Sequence, residues 1–165
     1  MGAFRQSIAI VIALVALLAM TLPVTVSADG GGGSSYNTPA PGRAEDPDYT
    51  SAVKAIKASD YKAAIPLLQA VVARDARNAD AYNWLGYATR KAGDTAGAIP
   101  IYQKALALDP KHRGAHEYIG EAYLLLDDPT KAKQHLATLN SLCFLPCSEY
   151  TDLKKAVETY EKTKR

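Results

Sequence analysis

The chain has no large surplus of either charge. Nineteen basic and seventeen acidic residues leave a net +2, and the basic residues are interleaved with acids. Nucleic-acid binding needs a basic face or stripe, and none is present. Catalytic signatures are missing too. The glycines at 30–33 follow no strand and precede no Lys-Ser or Lys-Thr pair, so they form no phosphate cradle. No Gly-x-Ser-x-Gly elbow occurs. His112 and His116 stand four apart, a metal-like spacing, but no Cys, Asp or third His completes a set. They read as surface or packing side chains, and His135 as a lone one on a solvated helix. Asp127-Asp128 reads as a turn followed by a cap. Cysteine is limited to Cys143 and Cys147, and no His follows Cys147, so c-type haem attachment is unsupported. The expectation is a protein with no metal, no cofactor and no enzymatic activity.

What is present begins with a leader. Arg5 is followed by thirteen uninterrupted apolar residues, 8–20, then Pro23 and a small-residue cleavage position at Val26-Ser27-Ala28. These are the three parts of a secretory signal peptide over 1–28, with cleavage near Ala28. The apolar run is shorter than the roughly 20 residues that span a bilayer. Retention as an uncleaved anchor, helped by Leu22, Val24 and Val26, is the alternative, and the only route by which a membrane would be a partner. Residues 29–44 are rich in Gly, Ser and Pro with little to bury, and read as a flexible linker. The expected location is exported: the periplasm or cell envelope of a bacterium.

From residue 45 the chain repeats itself. Written in rows of 34, it starts again at Glu45, Ala79 and Arg113 with no insertion. The eighth column holds Ala52, Gly86 and Gly120, and the twentieth Ala64, Ala98 and Ala132. Small residues there let two antiparallel helices approach closely. The sixteenth holds Asp60, Asp94 and Asp128, each placed to N-cap the second helix of a pair. Asp46-Pro47 and Asp128-Pro129 put a cap before Pro at the first helical position. One helix pair has nothing to cover its apolar stripe, whereas stacked pairs cover one another. Pro66 and Pro100 fall about six residues into the second helices, where Pro removes a hydrogen bond and clashes. Those helices therefore either start later or bend.

This pattern resembles the tetratricopeptide repeat family from Glu45 to about Leu142. The middle copy matches best, at Leu85, Gly86, Gly93-Asp94, Ala98, Tyr102, Ala105 and Pro110. Tyr82 stands where the family favours Trp, and Trp84 lies two residues later, in the groove's edge or the packing. The first copy is degenerate, with Asp48 in the Trp column and Ser51 where Leu is usual. In the third copy Phe144 takes the place of Pro110. The resemblance implies an all-α, right-handed α-solenoid of three helix-turn-helix repeats (about 45–78, 79–112 and 113–146) with a C-terminal capping helix at about 148–164. It also implies a concave groove lined by the first helix of each pair, with Tyr49, Asn83, Tyr87, Arg90, Lys91, Glu117, Glu121 and Leu124 facing a protein or peptide ligand. Glu117 and Glu121 would repel a ligand's C-terminal carboxylate. Alternatively, Arg90 and Lys91 pair with Glu117 and Glu121 across adjacent repeats.

After the third pair, Tyr150, Leu153, Val157 and Tyr160 share one face of a last helix at helical spacing. That helix seals the stack with a polar outer surface. Cys143 and Cys147, outside the cytoplasm and with no third cysteine to compete, read as a disulfide. The functional expectation is a non-enzymatic adaptor, scaffold or assembly factor. The alternatives are a thiol-redox protein using Cys143 and Cys147, and a scaffold that assembles with itself.

Overall fold

The computed structural model describes residues 46–164, so the leader, the whole linker, Glu45 and Arg165 lie outside the described residues. Among the described residues seven helices follow one another: α1 (Pro47–Lys57), α2 (Tyr61–Arg74), α3 (Ala79–Lys91), α4 (Thr95–Leu108), α5 (Arg113–Leu125), α6 (Pro129–Leu142) and α7 (Ser148–Thr163). Among the described residues there is no strand. The fold is an all-α solenoid of three helix pairs closed by a single helix.

Local chemistry sets the starts. The Asp46 carboxylate accepts from the amides of Asp48 and Tyr49. Asp60, Asp94 and Asp128 accept from the amides of Ala63, Gly97 and Lys131. These bonds satisfy amide donors that a first turn leaves free. Asn78 caps α3 in the same way, and His112 caps α5 through Nδ1. Each pair turns through one residue of left-handed backbone: Ser59 (φ 59°), Gly93 (φ 107°) and Asp127 (φ 62°). These occupy one column of the repeat, yet only the middle copy has the residue for which that conformation carries no Cβ cost. Pro66 and Pro100 sit inside α2 and α4, so neither helix starts late. Each leaves the carbonyl four residues back, of Lys62 and Ala96, without its helical donor.

Packing follows the small-residue columns. Ala64, Ala98 and Ala132 are fully buried. Over Gly86, a Cβ would stand 2.7 Å from the Tyr102 ring, so only Gly lets α4 lie this close to α3. Over Gly120 the intruder would instead meet Leu153 at 2.6 Å. The hollow of the third pair is thus filled from α7, which lies against both α5 and α6. The core forms two clusters. One runs from Ala52 to Ala88 and the other from Ala98 to Val157, dividing the middle pair between α3 and α4.

The first helices touch one another in sequence, α1 on α3 and α3 on α5, while α2, α4 and α6 do not reach each other. Helices that converge on one side bend the stack towards that side. The concave face is therefore the layer of α1, α3 and α5, which places the site.

Candidate functional site

The fifth column brings Tyr49, Asn83 and Glu117 to the floor of this face. Asn83 is 2% exposed and Glu117 6%. Asn83 Oδ1 and Glu117 Oε2 are both buried without a hydrogen-bond partner. Native proteins leave few such atoms, because each forfeits its hydration without a replacement. Burial comes first among the causes that push Glu117 up to about 8. Glu121, Asp152 and Glu149 add to it in that order, and Arg90 opposes them. Tyr49 is half-buried beside Asp80 and Trp84, with its hydroxyl pushed up to about 12, chiefly by burial.

The ninth to thirteenth columns form a wall of rings and charge. Tyr87 packs on Tyr118 with ring centroids 4.8 Å apart, on Trp84 at 5.6 Å and on Tyr61 at 6.0 Å. Such edge and tilted contacts are favourable aromatic geometries. Arg90 lies over Tyr87 and Tyr118 and pairs with Glu121 at 2.8 Å. Its Nε donates to the Tyr102 hydroxyl at 3.4 Å. Of the two cross-repeat pairs anticipated, one is present. Lys91 lies instead 5.9 Å from the rings of Tyr61 and Tyr87, and Glu117 is left without a cation. Leu124 is partly buried against the C-terminal core cluster, and Leu125 beside it is exposed. Trp84 belongs to the aromatic packing.

Two residues of this wall escape the sequence reading: Tyr118 and Tyr61. Tyr118 shares the sixth column with Trp84, and that coincidence was the available signal. Tyr61 comes from the start of a second helix, where no groove residue was expected.

His112 and His116 serve capping and packing, and one histidine differs from expectation. His135 is not alone. His116 Nε2 lies 3.0 Å from the Pro110 carbonyl, which can only accept, so Nε2 carries the hydrogen. His116 Nδ1 is then bare and accepts from His135 Nδ1–H at 2.9 Å. His135 stacks on Tyr123. Burial, and then the repulsion that a protonated His116 would exert, hold His135 down to about 4. Burial also lowers His116. Both rings stay neutral near pH 7 and serve packing. His112 Nε2 donates to Asp80 Oδ1 at 3.1 Å, tying the start of α5 to the start of α3.

Cys143 and Cys147 are disulfide-bonded, with Cα atoms 5.9 Å apart, at the joint between α6 and α7. Among the described residues no group of three or more His, Cys, Asp or Glu side chains gathers as a metal site. No helix among them is long and apolar enough to cross a membrane.

Helix pairs repeating every 34 residues, with a concave face made by the first helices, define a helical-repeat binding scaffold. Two family models described as tetratricopeptide repeat match residues 49–112 and 90–142, and the chain belongs to that family. No curated protein sequence matches it. Among solved structures it is similar to MamA of Desulfovibrio magneticus RS-1, at 33% identity and a TM-score of 0.56. That match covers 58% of this chain and 54% of the MamA chain, so this chain spans about half the length of that relative. It is also similar in fold to SycD, a type III secretion translocator chaperone of Yersinia enterocolitica, at 20% identity and a TM-score of 0.64. Here 71% of this chain and 83% of SycD are covered. A further SycD structure, in complex with a peptide of the translocator YopD, has a TM-score of 0.62 at 20% identity, covering 72% of this chain and 92% of SycD.

Proposed function

We propose that the concave face holds an extended segment of a partner protein, and that this non-enzymatic protein acts as an adaptor or assembly factor outside the cytoplasm. The observation that carries the reading is the buried, unpartnered Asn83 Oδ1 on the groove floor. An extended peptide brings backbone N–H groups that can supply the missing donor. Tyr87, Tyr118 and Trp84 beside it offer the aromatic surface on which binding energy concentrates. Arg90, already engaged with Glu121, Tyr87 and Tyr118, acts as a positioning residue. SycD, which is similar in fold, has been solved in complex with a peptide of the translocator YopD, and this supports the reading. The leader at 1–28 supports the extracytoplasmic part, and mass spectrometry of the exported chain is expected to find an N-terminus near Asp29.

The groove is tested with a photo-crosslinking amino acid at position 87 on the concave face or at exposed position 103 on α4, in the living host. Position 87 is expected to trap a partner and position 103 none. Trapping from 103 alone would overturn the assignment of the face.

A further inference from the structure

We propose that Glu117, together with Glu121, Glu149 and Asp152, forms a specificity subsite that takes a cationic side chain, lysine or arginine, from the segment held in the groove. This deepens the groove reading above and rests on it.

Glu117 is more than nine-tenths buried, and its Oε2 has no partner. The charged groups acting on it come from three helices: Glu121 on its own α5, Arg90 on α3, and Glu149 and Asp152 on α7. The nearby cations are engaged elsewhere. Arg90 pairs with Glu121 at 2.8 Å, and Arg113 Nε lies 3.3 Å from Glu149 Oε1. Glu117 is therefore an acid among acids whose counterions belong to its neighbours.

A carboxyl so placed has two ways to exist. It can keep its proton, as burial and the surrounding acids make it do in the free protein. Or it can meet a cation that supplies both donors and charge. A lysine ammonium or an arginine guanidinium offers both and needs no acceptor in return. An acidic ligand side chain would meet repulsion, and an apolar one would leave Oε2 unsatisfied. A bare metal ion would need several ligands converging on one point, which the described residues do not provide. Because α5 is packed between α3, α4, α6 and α7, the carboxyl is held in place before any ligand arrives. Binding also has a proton balance. Glu117, with its pKa near 8, is mostly protonated at pH 7, so pairing with a cation expels close to one proton per ligand.

The test selects a randomised twelve-residue peptide library on the full chain at pH 7. A parallel selection uses Glu117→Gln, which keeps the shape and lacks the charge. The wild-type pool is expected to share a Lys or Arg at one position, and the variant pool to lack it. In a selected peptide, replacing that Lys by norleucine is expected to weaken binding to the wild type about tenfold and to leave binding to the variant nearly unchanged. Calorimetry of the wild type in two buffers of different ionisation enthalpy should show close to one proton released with the Lys peptide and almost none with the norleucine peptide. This readout does not depend on the variant folding. A pool that binds with no shared basic position, or with no proton release, overturns the subsite and leaves the groove standing. No selected pool at all, or one whose binding is indifferent to Tyr87→Ala, overturns the groove reading itself.

Discussion

At the scale of single residues, a buried carboxyl and a half-buried histidine tilt stability in opposite directions with pH. The Glu117 carboxyl rises from its ordinary 4.5 to about 8 in the fold. Between those values the folded chain holds a proton that the unfolded chain has released, so raising the pH from 4.5 to 8 costs stability. His135 falls from 6.5 to about 4, so the unfolded chain takes its proton first, and acidification from 6.5 to 4 also costs stability. The two slopes oppose between pH 4.5 and 6.5, and only the Glu117 slope remains between 6.5 and 8. Urea unfolding is expected to show wild-type stability falling by about 1.5 kcal/mol from pH 6.5 to 8, and Glu117→Gln removing most of that fall. His135→Gln is expected to make the acid limb shallower. Neither group was legible from the sequence. Glu117 sits in a column that the family resemblance assigns to the groove, but its burial depends on how closely α3, α5 and α7 approach. His135 looks solvated on its own helix because its partner, His116, belongs to the preceding one.

At the scale of elements, the sequence is far more informative. The Asp columns, Asp46-Pro47 and Asp128-Pro129 announce helix starts, because a carboxylate ahead of a helix has a local job that needs no tertiary context. The intrapair turns are legible only in part. Gly93 marks one, but Ser59 and Asp127 adopt the same left-handed backbone without advertising it. Their strain is offset by the pairs they join. Asp127 also holds Lys164 at 2.7 Å and accepts from the Tyr160 hydroxyl, so its side chain contributes in its own right. The Ser59 side chain, by contrast, accepts a long hydrogen bond from the Tyr61 hydroxyl, at 3.4 Å. Ser59→Gly is therefore expected to stabilise the chain by roughly 0.5–1 kcal/mol, the left-handed Cβ cost less the extra freedom of Gly when unfolded. Chemical denaturation would reveal it, and a loss of stability would show that the turn is not strained.

At the scale of the whole molecule, stability is shared between neighbours, as stacked repeats require. The two core clusters meet across the middle pair, where Tyr87, Tyr118, Tyr102 and Arg90 bridge α3, α4 and α5. The concave face therefore lies over the join between the halves. Leu139 is fully buried in the C-terminal cluster. Leu139→Ala is expected to cost about 3 kcal/mol and to lower amide-exchange protection across α5, α6 and α7 while changing α1 and α2 much less. Uniform loss along the chain would mean a single cooperative unit. The 34-residue spacing made this arrangement readable, since repetition forces stacking. The apolar face of α7 was readable as a seal, but not that its Leu153 fills the hollow over Gly120, because nothing in α5 says which helix will do so.

That hollow has a consequence for synthesis. Over Gly86 the filling ring is Tyr102, from the second helix of the same pair. Over Gly120 it is Leu153, which the ribosome delivers more than thirty residues later. The first two pairs can close as they emerge, while the third waits open, its core uncovered, until α7 is free of the exit tunnel. A nascent chain halted before Leu153 would carry that unfinished surface as a mark that proteases and folding helpers can read.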